Sequence, residues 1–527
     1  MADTDTAHRT ADTDTADTAK LVPIQLTEKE DEICTLLLQV ASTIPEQPTL
    51  RIAGGWVRDK LLGLASHDID IAVDRMSGFE LATRVNEYLA AHAYETSTLA
   101  KISSNPERSK HLETATLRVL GHSVDFVHLR SEQYDADSRI PRVAFGTPGE
   151  DARRRDITIN ALFYNLHTRA VEDFTGCGLR DLREGRVRTP MDARQTFADD
   201  PLRVLRVLRF ASRFGYAIAG STGAAMQCAV VARDLDAKIS RERVGVELEK
   251  MASGERPLLA VQLVLRYGLY ASVFQAPPQA SWTRSADNRA GGTGNADSSS
   301  PTDMDTAIDP GVAESVTSSV LRVLDTEELT ARVPAQLKVA ARERRALVLA
   351  AYVYPFDGFV VADRRRRVPV ALAVVRDGLK LPVADADTVA AIHALAPRVS
   401  EMAARCQRGP VARNELGSMV RDAGMRWPMA VLFAAAIELH ARADVAGVVS
   451  TYAALFDAIN GAGLADAFTL KHIVNGRDAA ALLGCRTGPL IKPVLDRVMD
   501  WQLAHPDATN EQARQFILDE IAPNMPL

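Results

Sequence analysis

The feature that most constrains this chain is a pair of acidic residues, Asp68 and Asp70, in a segment that alternates with Ile69, Ile71 and Val73. This alternation is typical of a half-buried β-strand. Residues two apart in a strand point to the same face, so we expect the two carboxylates to lie side by side. Neighbouring carboxylates repel each other unless a divalent cation neutralises them. The pattern therefore predicts a strand that binds metal.

A glycine pair, Gly54 and Gly55, precedes these acids between a strand-like and a helix-like segment. Glycines in such a turn free backbone N–H groups to meet a phosphate. Taken singly, a glycine pair is usually a plain turn and an Asp-x-Asp pattern is usually a solvated strand face. Their order and spacing together predict a site for nucleotide transfer.

Further motifs follow in a fixed order along the chain. They are Asp125, the segments 154–161, 173–182 and 199–203, and Ser240 to Arg243. With the glycines and the acid pair, they resemble the nucleotidyltransferase superfamily of DNA polymerase beta. More closely, they resemble the bacterial and eukaryotic CCA-adding enzymes, the tRNA nucleotidyltransferases. The resemblance is dense over residues 50 to 255 and implies addition of CCA to the tRNA 3′ end from CTP and ATP, without a nucleic-acid template and with release of pyrophosphate.

The resemblance also implies roles for single residues. Asp68 and Asp70 would hold two Mg²⁺ ions, and Asp125 is the candidate third catalytic carboxylate. Alternatives stay open for three of the residues, since Asp125 fits a solvated strand position, Arg58 fits a pair with Asp59, and at least one arginine of 153–155 fits a solvated face. The nucleotide-binding residues implied for the triphosphate and ribose are Gly55, Arg58, Arg155, Asp156 and Asn160.

The segment from Asp200 to Arg209 predicts how the base is chosen. Asp200 and Pro201 fit a capped helix start, but capping leaves Arg203, Arg206 and Arg209 unexplained inside an apolar helix. Buried arginines need anionic partners, and a triphosphate would supply them for Arg206 and Arg209. An ionised Asp only accepts hydrogen bonds and an Arg only donates them, so Asp200 and Arg203 together match cytosine and adenine and mismatch uracil and guanine.

Three other functions fit parts of the pattern. A bacterial-type poly(A) polymerase shares the motifs, but the Gly-Arg-Arg-Phe-like run of those enzymes is missing between the two acidic strands. An enzyme that adds only CC or only A would differ in a flexible loop, and the polar interval 96–112 is long enough to supply that loop. A catalytically dead RNA-binding protein would have no use for the intact acids.

Length and composition set the organisation. A chain of 527 residues suggests two to four domains. We expect an α/β nucleotidyltransferase head with a polymerase-beta-like mixed sheet, followed by an all-α neck, body and tail. The predicted ranges are a disordered acidic tail over 1–25, the head over 26–190, the neck over 191–255, the body over 256–410 with a disordered insertion at 276–310, and the tail over 411–527. The segments 173–182 and 240–247 resemble a hinge and a neck-helix start.

Charge and cysteine content bound the partners and the compartment. The net charge is −6, but residues 140–250 hold nineteen Lys and Arg against fifteen acids, so the basic excess lies where the motifs are and suits an RNA substrate. Five scattered cysteines predict a reducing compartment and no zinc site or disulfide framework. We expect an intracellular protein without a membrane span, in the cytoplasm with the nucleus and the mitochondrion as alternatives, and a monomer with a dimer as the alternative.

Overall fold

The computed structural model describes residues 21–66, 68–96, 100–102, 114–134, 141–285, 308–363, 366–442, 444–486, 488 and 490–524. The chain divides into two units, Met1–Ser272 and Val273–Leu527. Residues 1–20 of the predicted tail lie outside the described part. Val22 N donates to Leu61 O at 3.0 Å, so ordered contacts begin before the predicted boundary at residue 26.

The first unit is built on one mixed sheet. Among the described residues its seven strands follow the order β3-β4-β5-β2-β1-β8-β9, with β2 and β5 parallel and the other neighbours antiparallel. This confirms the predicted mixed-sheet head. The strands of this unit are β1 (Leu50–Ala53), β2 (Ile69–Val73), β3 (Ala100–Ile102), β4 (Thr114–Val119), β5 (His122–His128), β6 (Arg130–Gln133), β7 (Arg142–Phe145), β8 (Phe163–Asn165), β9 (Ala170–Glu172), β10 (Arg186–Val187) and β11 (Ala217–Ile218).

Helices cover this sheet and continue beyond it. Helix α3 contacts β4 and β5, and α1 contacts α3 and β1, so the apolar sides of these helices close the core. The helices up to the unit boundary are α1 (Glu28–Thr43), α2 (Gly55–Leu61), α3 (Gly78–Ala91), α4 (Pro148–Arg153), α5 (Gly178–Arg183), α6 (Ala193–Asp199), α7 (Leu202–Phe214), α8 (Gly220–Met226), α9 (Ala229–Lys238), α10 (Arg241–Ala252), α11 (Pro257–Arg266) and α12 (Tyr270–Val273).

Helix α1 holds the short helix α2 through a buried acid. A capping box between Thr27 and Glu30 starts α1, because each side chain bonds the backbone of the other. Glu30 also accepts from Trp56 Nε1 at 3.0 Å and from Lys60 Nζ at 2.6 Å, both on α2. A single carboxylate thus fixes the helix that follows the glycine pair.

Helix α7 packs against several other helices in and beyond the range 191–255 that was predicted as the neck. It contacts α10 and α11, and it ends at Gly215, whose left-handed backbone (φ 70°) suits glycine. Because α11 packs on α7, the first unit extends past residue 255, where the sequence placed the end of the neck. Finer division into head, neck, body and tail stays a prediction.

The second unit is mostly helical and carries a small antiparallel sheet. The strands are β12 (Trp282–Arg284), β13 (Phe359–Asp363) and β14 (Arg366–Pro369). The helices are α13 (Gly311–Leu324), α14 (Glu327–Thr330), α15 (Ala341–Tyr352), α16 (Val370–Ala373), α17 (Val383–Arg408), α18 (Arg413–Ala423), α19 (Trp427–Arg442), α20 (Val445–Gly461), α21 (Gly476–Leu482), α22 (Ile491–Ala504) and α23 (Asn510–Phe516).

The sheet of the second unit differs from the predicted all-α body. Trp282 lies inside the interval 276–310 that we expected to be disordered, yet it is buried and its ring contacts Phe356 and Phe359. Burying this large apolar ring stabilises β12 against β13, which a local count of Ser and Gly cannot reveal. Residues 286–307 of the same interval lie outside the described part.

The end of the chain forms a separate apolar cluster. Helices α21, α22 and α23 contribute Ala480, Val494, Val498 and Ala513 to it. Trp501 packs against this cluster, with its ring stacked on that of Phe516 at 5.1 Å between centroids. Among the described residues, every helix is too short or too polar to cross a membrane.

Candidate active site

A cavity of about 680 Å³ in the first unit gathers most of the predicted site residues. Of the twelve, eleven line it. These are Gly55, Arg58, Asp70, Asp125, Arg155, Asp156, Asn160, Asp200, Arg203, Arg206 and Arg209. The cavity is therefore the candidate active site.

Asp70 and Asp125 are brought together by strand pairing. They lie opposite each other in the parallel register of β2 and β5, and Thr116 Oγ1 on β4 donates to Asp125 Oδ1 at 2.6 Å. Burial and the nearby carboxylate of Asp125 raise the pKa of Asp70 to about 6. Like charges at one edge of the cavity are thus held together against their mutual repulsion.

Asp68 occupies a different position from its predicted partner. It lies one residue before β2, it is exposed, and it is not part of the cavity lining. Its charge still contributes to the raised pKa of Asp70, so it is close enough to act on that carboxylate. Among the described residues no group of three or more His, Cys, Asp and Glu side chains forms a ready metal cluster.

The donor set nevertheless fits a hard divalent cation. Carboxylate oxygens are the ligands that Mg²⁺ prefers, and Asp70 and Asp125 offer them on adjacent strands. A cation between these groups would relieve the repulsion that raises the pKa of Asp70. Asp70 and Asp125 are therefore the residues of this cavity best placed to hold metal, with Asp68 at its border.

The glycine turn is shaped by its contact with Arg155. Gly54 has φ 76°, a conformation that residues with a Cβ rarely adopt, and a Cβ there would lie 2.8 Å from Arg155 Nη1. Arg155 is held in turn by Asp151, whose Oδ2 accepts from Nε at 3.1 Å and from Nη2 at 3.0 Å. The turn can therefore accept only glycine without moving this arginine.

Arg58 is more engaged than the sequence suggested. It is buried, its Nε donates to Asp59 Oδ1 at 2.8 Å, and its Nη1 donates to Asn160 Oδ1. Its guanidinium also lies over the rings of Phe210 and Phe214 on α7, at 5.1 and 4.9 Å from their centroids. The pairing with Asp59 that the sequence left open is present, and Arg58 joins α2 to α7.

Asp156 is the acceptor for both its own turn and α7. Asn160 Nδ2 donates to Asp156 Oδ1 at 3.2 Å, and Arg206 Nε donates to Asp156 Oδ2 at 2.8 Å. Burial acts to raise the pKa of Asp156, but the positive charge of Arg206 and these hydrogen bonds lower it below its usual value. Asp156 is thus ionised at neutral pH and remains an acceptor.

The arginines of α7 already have protein carboxylates as partners. Arg206 binds Asp156, and Arg209 Nε donates to Glu247 Oε2 on α10 at 2.5 Å. The expectation that a triphosphate supplies their anions is incomplete, because internal acids supply part of that charge. The attraction of Asp156 raises the pKa of Arg206, so its positive charge is secure.

The two residues predicted to select the base are each held by a residue to which the sequence assigned no site role. Arg243 on α10 donates to Asp200 Oδ2 at 2.8 Å, and Leu202 N donates to Asp200 Oδ1 at 3.2 Å. Asp200 thus accepts from the first backbone N–H of α7, but the N-cap of this helix is Pro201, so the expected N-cap role of Asp200 was wrong by one residue. Arg203 Nη2 donates to Tyr134 Oη at 3.2 Å.

Sequence analysis missed a set of supporting residues, because each acts through a partner far away in the chain. Glu247 and Arg243 lie in the segment 240–247, which the sequence predicted as the start of a neck helix without assigning these contacts. Nothing in the local pattern distinguishes the others from surface charges. The missed residues that contact predicted site residues are Glu132, Tyr134, Asp151, Arg243 and Glu247.

The head and its cavity define the class of protein. The family of the poly A polymerase head domain matches residues 50–188, which span β1 to β10 and include Asp70 and Asp125. A chain with this head is a nucleotidyltransferase. That family covers only the head, so the rest of the chain must be placed by full-length relatives.

Full-length relatives give the particular family. The chain is 37% identical over 523 residues to the mitochondrial CCA tRNA nucleotidyltransferase of Candida glabrata, covering 95% of this chain and 97% of that one. It is 36% identical over 518 residues to the mitochondrial CCA tRNA nucleotidyltransferase of Saccharomyces cerevisiae, covering 93% and 92%. The chain belongs to the family of CCA tRNA nucleotidyltransferases.

Solved structures support the same fold. A CCA-adding enzyme in an apo form matches with a TM-score of 0.62 at 21% identity, covering 94% of this chain and 96% of that one. The Thermotoga maritima CCA-adding enzyme complexed with tRNA matches with a TM-score of 0.59 at 19% identity, covering 95% and 98%. At these identities the likeness concerns the fold.

Proposed function

We propose that this chain adds C, C and A in succession to the 3′ end of tRNA, using CTP and ATP and releasing pyrophosphate. The observation that carries this function is one cavity lined both by two carboxylates on paired strands and by a hydrogen-bond acceptor and a donor one helical turn apart in the sequence. The acid couple is Asp70 and Asp125, and the selecting pair is Asp200 and Arg203. The first pair suits phosphoryl transfer, and the second suits a choice between bases.

The charge of the cavity suits a nucleoside triphosphate. Nine arginines and five carboxylates line it. Arg155, Arg206 and Arg209 lie beside the glycine turn and along α7, where acids of the protein offset part of their charge and fix their positions. A triphosphate brings several negative charges and strong acceptor oxygens, so these arginines and Gly55 would orient it. Asp156 and Asn160 are an acceptor and an amide that suit a ribose 2′-hydroxyl.

Asp68, Asp70 and Asp125 would hold magnesium at the edge of this cavity. When bound, divalent ions there would activate the attacking 3′-hydroxyl and neutralise charge on the transferring phosphoryl group. The protein contributes the strand register that keeps Asp70 and Asp125 adjacent, and Thr116, which holds one oxygen of Asp125.

Base selection would follow from hydrogen-bond polarity. Cytosine presents an N4 donor beside the N3 acceptor, and adenine presents an N6 donor beside the N1 acceptor. Asp200 can only accept and Arg203 can only donate, so the pair matches these two edges. Uracil and guanine present a carbonyl beside an N–H, which would leave buried groups unpaired and cost binding energy. The protein side chains would thus act as the template.

The partners follow from the same reaction. The substrate is a tRNA 3′ end, and the solved neighbours include enzymes complexed with tRNA, with ATP and with CTP. We propose a monomer that acts inside the cell. The names of the two fungal relatives make the mitochondrion one compartment to examine alongside the cytoplasm and nucleus.

One incubation tests the function. The full chain is mixed with Mg²⁺ and a tRNA that ends at the discriminator base, and each of the four NTPs is supplied singly and then in combination. CTP alone should extend the tRNA by two residues, and CTP with ATP should extend it by three. Extension by a long run of A would identify a poly(A) polymerase, and a stop after two residues with both nucleotides present would identify a CC-adding enzyme.

A further inference from the structure

Arg203 is held on one side by two residues that follow the strand of the third carboxylate. Arg203 Nη2 donates to Tyr134 Oη at 3.2 Å and lies 3.7 Å from Glu132 Oε2. The guanidinium also lies over the Tyr134 ring, 5.9 Å from its centroid. A hydrogen bond, an ion pair and a ring contact together fix both the plane and the position of the guanidinium.

The hydroxyl of Tyr134 connects the acid to the arginine. It donates to Glu132 Oε2 at 2.7 Å, so it receives the Arg203 N–H on its oxygen. Glu132 is itself fixed, because its side chain is 4% exposed and accepts from Arg130 Nε at 2.7 Å and from Arg154 Nη1 at 3.2 Å. Burial raises the pKa of Tyr134, so its hydroxyl stays protonated.

The other terminal nitrogen of Arg203, Nη1, is buried and makes no hydrogen bond within the described residues. The residue is 7% exposed, yet its Nη1 has no hydrogen-bond partner in the part of the chain that the structure describes. A buried donor without a partner costs free energy, so such a group calls for a ligand. Arg203 lines the cavity, where an acceptor on a nucleotide base would satisfy it.

We propose that Tyr134 and Glu132 are positioning residues for base selection, which hold Nη2 of Arg203 so that Nη1 is the donor offered to the base. This inference rests on the proposed function and names further residues of the same site. A guanidinium has five N–H donors. If the guanidinium of Arg203 could rotate, another of its N–H groups could donate to the carbonyl of uracil or guanine. These wrong bases would then be bound without an unpaired hydrogen-bonding group, and selectivity would fall.

Tyr134→Phe is the sharpest variant, because it keeps the ring under the guanidinium and removes only the hydroxyl. Its matched control is Tyr452→Phe in the second unit, where Tyr452 Oη likewise donates to a glutamate, Glu438 Oε2, at 3.0 Å. Single-nucleotide incorporation is measured as kcat/KM for CTP and UTP on a tRNA lacking CCA, and for ATP and GTP on a tRNA ending in CC.

Tyr134→Phe should raise the ratio of wrong to right nucleotide by roughly threefold to tenfold, the scale of one ordinary hydrogen bond, because the variant disturbs the position of Arg203 and does not remove its contact with the base. Tyr452→Phe should leave that ratio unchanged. Glu132→Gln should shift the ratio in the same direction, and it serves as the second variant if thermal unfolding shows that Tyr134→Phe is not folded.

A double variant separates positioning from general damage. If Tyr134 acts through Arg203, then adding Tyr134→Phe to Arg203→Ala should change the ratio no further. A uniform slowing of all four nucleotides in Tyr134→Phe and Glu132→Gln, or a full additional effect in the double variant, would overturn the proposal. A wild-type chain that adds neither C nor A would instead refute the proposed function.

Discussion

Arg243 grips Asp200 with both ends of its guanidinium: Nη2 lies 2.8 Å from Oδ2 and Nη1 lies 3.4 Å from Oδ1. The two residues come from different segments of the first unit, since Arg243 is on α10 and Asp200 lies between α6 and α7. A bidentate contact of this kind fixes the plane of a carboxylate. Because Oδ1 also accepts from Leu202 N, one lone-pair site, on Oδ2, stays available to accept from a base.

Replacing Arg243 by Ala should therefore impair base choice through Asp200. The carboxylate would lose its orientation, and kcat/KM for CTP and ATP should fall by roughly tenfold, with a smaller fall for UTP and GTP. Arg243→Lys keeps the positive charge but cannot make both hydrogen bonds to Asp200, so its kcat/KM for CTP and ATP should fall less than that of Arg243→Ala. Equal effects of both variants on all four nucleotides would place Arg243 among the phosphate-binding arginines.

The raised pKa of Asp70 predicts a pH-dependent cost to stability in the metal-free protein. The folded-state pKa of about 6 lies above the ordinary value of 3.8, so this carboxylate lowers stability progressively as the pH rises from about 4 to about 6; the cost is complete above pH 6 and vanishes below about pH 4. Asp70→Asn should raise the free energy of unfolding by about 1–3 kcal/mol at pH 7.5 in EDTA.

Thermal unfolding with and without Mg²⁺ checks this account. At pH 4 the Asn variant and the wild type should unfold alike. At pH 7.5 added Mg²⁺ should stabilise the wild type and not the variant, because binding to the folded state alone stabilises it. The variant should also lose activity by on the order of a thousandfold. A wild type that gains as little from Mg²⁺ as the variant would refute the metal assignment.

Gly54→Ala should damage activity as well as stability. The left-handed backbone alone would cost about 1–2 kcal/mol, and the new Cβ would push Arg155 away from a distance of 2.8 Å. Gly121→Ala is a matched control, since Gly121 has φ 82° and a Cβ there would meet nothing within 4 Å. Both variants should lose stability in thermal unfolding, and only Gly54→Ala should show a higher KM for nucleotides. If the two variants had the same KM for nucleotides, the glycine turn would not take part in binding the triphosphate.

Arg206→Ala should weaken all four nucleotides together. The change removes a cation from the cavity and leaves the buried Asp156 with Asn160 as its remaining side-chain partner, at a cost of about 1–3 kcal/mol after allowing for the partial exposure of Arg206. Steady-state kinetics should show similar rises in KM for CTP, ATP, UTP and GTP. The control is Arg233→Ala, which removes an exposed partner of Asp234 and should change neither the stability nor the KM for nucleotides. A selective loss of CTP and ATP would move Arg206 to the base-selecting group.

The sequence was most informative where chemistry is local. The alternation around Asp70 predicted β2, because strand period acts over a few residues. The head and most of the residues of the cavity were predicted from the resemblance to CCA-adding enzymes. Asp68 shows the limit of that logic. It shares the period of Asp70, but β2 begins after it, so it stays exposed.

What the sequence could not predict depends on tertiary pairing. The partners of Arg203, Arg209 and Asp200 are Tyr134, Glu247 and Arg243, which lie between 38 and 69 residues away. No local pattern encodes such a distance. The prediction of disorder over strand β12 was wrong for the same reason, because Trp282 packs against the rings of Phe356 and Phe359, which come later in the chain. Side-chain pairing across elements, rather than element type, was the missing information.

The central claim is that side chains of this protein choose the base, and Arg203→Ala tests it most directly. Incorporation of each NTP is measured separately on a tRNA ending in CC, for the wild type and the variant. The variant should lose roughly 1–3 kcal/mol of preference for ATP, because N1 of adenine loses its donor while the penalty on UTP and GTP shrinks. If Arg203→Ala instead slowed every nucleotide by the same factor, Arg203 would belong with the phosphate-binding arginines and the claim would be wrong.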